Sequence, residues 1–512
     1  MITRFFMNKL SLTIQPNKST QHATTPVVDL SRNTTVQLIL WVILLLAASL
    51  FPIWVASGNL YYHNDDTYIT LTYAKSLAEG QGWRYNSELE TLGTTTPLFA
   101  LVVAGLAYFL PMQPIVESAV GLSAFCWLAT GWLFFLGHRR FGLTRRGGAF
   151  IGLSVLLQAG WWQPTFGMEA TFLLFGLMFN IWLIARGHAF LSGLVSGLLF
   201  LIRPEGLAMV PLTGAWLLWH QRSTWRETFM RFAFGVFVSL GLWVWYAQST
   251  FGSILPNSAM AKLGQGKSWP GKLFIERLTQ EWLPIFARRY GFSSFCSLVW
   301  PLLLIGLIDN VQRMRSLLLL GLWTVVFLAG YTYLNAPGYW WYMMPVFFTL
   351  YIFALLGILF FLEQPRRWMQ ITGLVVALFY LSVTLKISVQ NAYQKEVDPR
   401  ASTYLAVAEW LNSNTPLNST VAFVEIGYLG YFTENRIIDL VGLIDPAYRD
   451  NGVHLNLASN FWQAEPDYFL YVPDFDWLLA SIVEDERFPQ RYRIVTEVPS
   501  HFSTPLMIYQ KQ

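Results

Sequence analysis

The chain has 512 residues, of which 54% are hydrophobic, 17% aromatic and 12% charged, with a net charge of +4. Ordinary soluble domains carry about 25% charged residues, so a soluble globule is excluded and the composition describes a polytopic membrane protein. The charge is uneven: residues 389–512 hold 8 Lys+Arg against 16 Asp+Glu, leaving 26 against 14 for the rest, which marks the tail as a different kind of domain.

Residues 1–34 carry Arg4, Lys9, Lys18 and Arg32 among Ser, Thr, Gln and Asn and read as a disordered cytoplasmic lead with too little apolar content to fold. The run from 35 to 56 approaches the ~20 residues that cross a bilayer and reads as an uncleaved first helix, with cleavage near Ala56, Ser57 and Gly58 as the alternative.

Basic clusters set the expected topology, because Lys and Arg are retained in short cytoplasmic loops. They are Arg139, Arg140, Arg145 and Arg146, then Arg186, then Arg222, Arg226 and Arg231, then Arg313 and Arg315, then Arg366 and Arg367. Placing all of them inside makes 97–110, which Pro111 and Pro114 close, a juxtamembrane helix rather than a span. About eleven crossings follow, at 35–56, 115–137, 147–165, 168–185, 188–203, 205–220, 229–250, 292–308, 316–335, 339–362 and 368–388. The outer loops are then 57–114 and 251–291, and the transmembrane module runs from 35 to 390.

Beyond it, 391–512 reads as a small extracytoplasmic α/β domain. Its pattern gives helices at 402–412, 455–464 and 476–487 and strands at 420–425, 436–440, 467–472, 491–498 and 506–511. Cys126 and Cys296, each in an apolar run, read as core packing.

The candidate chemistry gathers on the expected outer face. Asp65 and Asp66 open a long loop, and adjacent carboxylates beside a membrane are costly unless solvated, paired or functional. One role is a helix N-cap by Asn64 or Asp65 over 68–77; it leaves one carboxylate for a cavity. Glu169 stands at a span boundary. Arg203, Pro204, Glu205 and Gly206 form a turn in which Arg203 either pairs with Glu205 or grips a phosphate. Loop 251–291 concentrates Lys262, Lys267, Lys272, Arg277, Arg288 and Arg289 against the positive-inside trend, with Lys262 the first choice for an anionic lipid head group and 272–282 a second interfacial helix.

The aromatics at Trp161 and Trp162 and at 339–342 read as interfacial anchors, with stacking on a sugar as the alternative. His63 has no second His or Cys at ligand spacing, so no structural zinc is expected.

These residues resemble the GT-C superfamily of membrane glycosyltransferases, which use polyprenyl-phosphate sugars, and within it the terminal arabinofuranosyltransferase-like group. The resemblance rests on Asp65, Asp66, Tyr68, Ile69, Tyr73, Gly80, Gly82, Tyr85 and Asn86, on Gly93, Thr96, Pro97 and Leu98, on Gly167 to Glu169, on Arg203 to Gly206, and on Asn257 with Lys262. In the tail it rests on Gly427 to Tyr431 and on Asp439 to Pro446. Thr94 to Thr96 and Ala170 depart from the relatives' pattern and bear on the sugar.

The resemblance implies a first-loop acidic residue as catalytic base, either Asp66 or Asp65, and an outer C-terminal domain. Lys262 and Arg203 would hold the donor phosphate, and Tyr68, Glu169, Glu205, Asn257 and Thr96 would bind substrate. The implied partners are a polyprenyl-phosphate sugar donor, a glycan, lipid or protein acceptor, and membrane lipids, with no nucleic acid. No cofactor is required, with a divalent metal as an option. The implied location is the cell membrane. The rival readings are a transporter or flippase of lipid-linked saccharide and a non-catalytic envelope-assembly factor.

Overall fold

The computed structural model describes residues 30–58, 63–86, 90–110, 114–394 and 398–512. By internal contacts the chain falls into two units, Met1–Ile43 and Leu44–Gln512. The described part of the first unit is helical. Of the lead expected to be disordered at 1–34, residues 1–29 lie outside the described residues, as does Pro111, and 30–34 belong to the first helix.

The membrane module is a succession of apolar helices. The first are α1 (Leu30–Ser57), α2 (Asp65–Ala78), α3 (Pro97–Phe109), α4 (Ile115–Leu136), α5 (Arg145–Leu157), α6 (Ala170–Ala185), α7 (Ala189–Ile202) and α8 (Met209–His220). Next, α9 (Trp225–Val236) runs through a π turn into α10 (Leu242–Phe251). There follow α11 (Asn257–Ser268), α12 (Phe274–Arg277), α13 (Leu283–Arg288), α14 (Val299–Gln312), α15 (Leu318–Tyr333), α16 (Met344–Leu362) and α17 (Arg367–Gln394).

Among the described residues, 5 helices are long and apolar enough to cross a membrane: Thr35–Ser57, Ile115–Leu136, Arg222–Phe251, Trp340–Leu362 and Arg367–Gln394. The segments expected at 168–185, 188–203 and 316–335 are apolar helices shorter than a standard span. Those expected at 147–165 and 205–220 are broken into an α and a 3-10 piece. At the first break Pro164 supplies no amide hydrogen, and Gly160 lies against the Ser388 backbone, where a side chain would collide. The span expected from 292 begins only at Val299, because 291–297 closes a turn through a Gly291–Ser297 bridge. Cys296 sits exposed in that turn, so its expected packing role is corrected; Cys126 is buried.

The helices pack by close backbone approach and buried polar pairs. Gly306 and Gly357 let α14 and α16 meet backbone to backbone. Across α6, α7 and α8, Asn180 donates to Ser196 and Thr213 at 2.9 and 3.2 Å, giving the polar groups internal partners. Helix α3 covers α2, α4 and α7 and leaves Tyr108 and Phe109 exposed at its end.

The tail folds as α18 (Ala401–Asn414), β1 (Thr420–Phe423), α19 (Gly427–Phe432), β2 (Arg436–Asp439), α20 (Pro446–Val453), α21 (Leu457–Ala464), β3 (Tyr468–Tyr471), α22 (Asp476–Val483), α23 (Phe488–Arg491), β4 (Tyr492–Val498) and β5 (Leu506–Lys511). The sheet order is β2-β1-β3-β5-β4, parallel across β2, β1 and β3 and antiparallel across β3, β5 and β4. Its parallel strands are nearly continuous buried runs, the pattern of strands covered on both faces. All five expected strands are present; α19, α20 and α23 are additions that the sequence pattern does not show.

Candidate active site

Asn64 starts α2. Its extended backbone and side-chain oxygen, which accepts from the Asp66 amide at 3.1 Å, make it the N-cap, with Asp65 and Asp66 in the first turn. Successive residues on a helix point about 100° apart, and here this sends the two carboxylates to different neighbours.

Asp65 is buried and accepts from the Gly427 and Tyr428 amides, each at 2.9 Å. It therefore caps α19 from another element and ties the first loop to the tail. Tyr428 donates back to the His63 carbonyl at 2.6 Å, and Tyr85 donates to the Ile426 carbonyl at 2.6 Å. Asn86 exchanges hydrogen bonds with the Ile437 backbone at 2.8 and 3.0 Å. Burial pushes the Asp65 carboxyl up to about 6 against the pull of its two amide donors.

Asp66 points the other way, into open space. Its side chain is 25% exposed and takes the Lys262 ammonium at 2.7 Å. Lys262 projects from α11, whose first residue Asn257 is fixed by donating to the Gly442 and Leu443 carbonyls at 2.7 and 3.1 Å. Burial works against the Lys262 charge, but Asp66 and the Tyr342 and Tyr339 phenols outweigh it and hold the ammonium above its ordinary value. The ammonium also faces the Tyr339 ring at 5.1 Å and the Trp341 ring at 5.7 Å.

Three cavities meet at Lys262. One of about 300 Å³ is mainly apolar, lined by Leu263, Val326, Phe327 and Leu334 with Arg203 and Glu205 at its edge. A second of about 430 Å³ holds Asp66, Arg277, Glu425 and Arg400. A small third of about 40 Å³ joins Asp66 to Thr96, Glu169 and Arg203. Burial and the nearby Asp65 carboxylate push Glu425 up to about 7 against the pull of Arg400.

The other expected site residues divide. Arg203 is buried between Glu169 and Glu205, with Tyr331 at 3.3 Å from its third nitrogen and the Tyr342 ring beneath it. Thr96 bonds Thr94 at 3.1 Å and Thr70 at 3.3 Å. Tyr68 is packed among Tyr428, Tyr431 and Phe432, and the Asn257 amide is taken by the tail, so both serve the joint between loop and tail. Arg400 and Glu425, which the sequence reading missed, enter from the tail as a mutual ion pair; no local pattern marks them.

Of the aromatics expected as interfacial anchors, Trp162, Trp341 and Tyr342 are buried and line cavities, while Trp161, Tyr339 and Trp340 are half-buried. Burial lowers His63 to about 4, and among the described residues no group of three or more His, Cys, Asp and Glu converges. A single carboxylate facing an ammonium does not make a divalent-cation cage.

An apolar helical module followed by a small C-terminal α/β unit is a GT-C-like fold. The solved structures that share it include ArnT from Cupriavidus metallidurans bound to undecaprenyl phosphate, at 14% identity and TM-score 0.60, covering 92% of this chain and 97% of that one. They also include the oligosaccharyltransferase AglB from Archaeoglobus fulgidus, in complex with an inhibitory peptide and a dolichol-phosphate, at 9% identity and TM-score 0.57, covering 84% and 69%. A family model described as a domain of unknown function (DUF8728) matches residues 388–509. No curated protein matches the chain.

Proposed function

We propose that the chain is an integral-membrane glycosyltransferase of the cell membrane. It moves a sugar from a polyprenyl-phosphate donor to an envelope glycan, lipid or protein acceptor on the outer face, with Asp66 as base. The observation that carries this reading is the Asp66–Lys262 pair at 2.7 Å where an apolar cavity and a polar cavity meet. Such a junction suits a lipid phosphate whose tail and sugar need opposite surroundings. ArnT bound to undecaprenyl phosphate and AglB with dolichol-phosphate support the choice of donor class.

In this reading the acceptor hydroxyl gives its proton to the Asp66 carboxylate as its oxygen attacks the anomeric carbon. The bond from that carbon to the phosphate oxygen breaks, and its electron pair leaves on the polyprenyl phosphate. That leaving group is already an anion, so no acid is needed to protonate it, unlike a glycosidase with its second carboxylate. Lys262 has three N–H donors, enough to hold Asp66 and a phosphate oxygen together. Phosphate arriving at Lys262 competes with the carboxylate and leaves Asp66 freer to take a proton. Arg203 is already flanked by two carboxylates, so the phosphate falls to Lys262 and Arg203 positions Glu169 and Glu205. An outer-face site follows from keeping the Arg clusters inside.

The test is transfer by purified protein in lipid with a panel of polyprenyl-phosphate sugars. Asp66→Asn is expected to lower turnover by roughly 10²–10⁴-fold while undecaprenyl phosphate still binds. Full activity in both Asp65→Asn and Asp66→Asn would sink the reading.

A further inference from the structure

A cavity of about 830 Å³ is used by none of the steps above. Trp161 and Trp162 come to it from the 3-10 turn after α5, Trp282 from the π turn between α12 and α13, and Trp340 from the turn before α16. Asn391 and Gln394 reach it from the end of α17, and Arg289 and Arg400 complete the wall. Its position matters as much as its lining. Asn64, Trp340 and Arg400 belong both to this chamber and to the cavity of Asp66. Asn64 also caps the turn that carries Asp66, so the chamber's rim and the base are one rigid piece.

A polyprenyl tail suits this space less well, since it would cover the Asn391 and Gln394 amides without giving them hydrogen bonds, at about 1–3 kcal/mol for each such group. The apolar cavity across Lys262 suits a tail better. A sugar ring matches the chamber on both counts, with an apolar face for an indole and a rim of hydroxyls for amides and guanidinium groups. The volume lies in the upper part of the range for ligand sites, about 300–1,000 Å³, and has room for more than one ring.

We propose that this tryptophan chamber is the acceptor site and takes a saccharide of two or more rings, whose end hydroxyl reaches Asp66 past Asn64. The proposal rests on reading the chain as a sugar transferase and adds the acceptor class to it. A peptide or a lipid as acceptor is the outcome it excludes.

The experiment measures binding without donor, so that it does not depend on turnover. Full-length protein in nanodiscs is tested by saturation-transfer NMR against di- to tetrasaccharides of glucose, mannose, galactose and arabinose, and separately against undecaprenyl phosphate. At least one saccharide is expected to bind. Trp282→Ala should weaken it by about tenfold or more, as loss of a buried aromatic anchor does, and Trp282→Phe should keep most of the affinity. Neither should alter undecaprenyl phosphate binding, whereas Lys262→Ala should lose the lipid phosphate and keep the saccharide. Thermal melting identifies a variant that fails to fold, and Trp340→Ala, with the same expected loss, then takes its place.

The inference is overturned if no saccharide binds, if folded Trp282→Ala binds as well as the wild type, or if a photoreactive peptide or lipid labels the chamber in the saccharide's place. Failure of wild-type protein to bind undecaprenyl phosphate would instead bring down the transferase reading.

Discussion

At the scale of residues, Asp65 and Asp66 show how two identical neighbours acquire different work. One turn of helix places Asp65 against α19 and Asp66 in the open cavity beside Lys262. Lys262→Gln is therefore expected to weaken donor binding more than Asp66→Asn does, and titration of undecaprenyl phosphate into each variant checks it. Arg203 gives a second expectation, because it faces two buried carboxylates. Arg203→Met strands both charges, a change that costs about 3–5 kcal/mol where one buried partner is removed, and should lower the melting temperature sharply. Adding Glu169→Gln and Glu205→Gln to the same chain should recover most of that loss.

At the scale of elements, the C-terminal α/β unit is joined to the first loop by α19. Its N-terminal amides are capped by Asp65, and Gly427 approaches so closely that any side chain would collide with the Asp65 backbone. Asp65→Ala should cost about 0.5–2 kcal/mol, the usual range for a lost N-cap. Gly427→Ala should loosen the joint without touching Lys262. Hydrogen exchange over 427–432 is the measurement: faster exchange in both variants is expected, with undecaprenyl phosphate binding kept. The short α19 was invisible to the sequence pattern because it has a single turn or so of helix and owes its start to a residue elsewhere in the chain. The longer elements of the tail were legible, since the short apolar runs of β1 to β3 and the helical period over α18 are local properties.

At the scale of the molecule, acid groups buried in the joint make its stability depend on pH. Burial raises Glu425 to about 7 and Asp65 and Asp439 to about 6, from ordinary values of 4.5 and 3.8. Each binds its proton more tightly when folded, so its contribution is full below the ordinary value and is lost as pH rises through the folded one. His63, lowered from 6.5 to about 4, acts oppositely: its contribution is present above 6.5 and lost as pH falls through 4. Between about pH 8 and 6.5 only the carboxyl groups act strongly, so the melting temperature should rise as the solution is acidified over that window. Glu425→Gln should flatten the rise, and scanning fluorimetry in nanodiscs reads both. The trend should weaken below 6.5 as His63 begins to oppose it.

Hydropathy, charge and period, all carried by neighbouring residues, determined the membrane class of the protein, the succession of apolar helices and the small α/β unit at the C-terminal end. They also marked Asp65, Asp66, Glu169, Arg203 and Lys262 as a set, because charged residues beside a membrane are costly wherever the chain then leads. What each member does was a matter for the tertiary structure alone. The bond from Asp65 to Gly427 joins residues 362 positions apart, and Lys262 meets Asp66 across 196. Burial and pairing at such separations depend on which surfaces the packed helices bring together, and no local pattern carries that information. For the same reason the sequence did not show that Trp161, Trp162 and Trp340 line one cavity that shares Asn64 with the surroundings of Asp66.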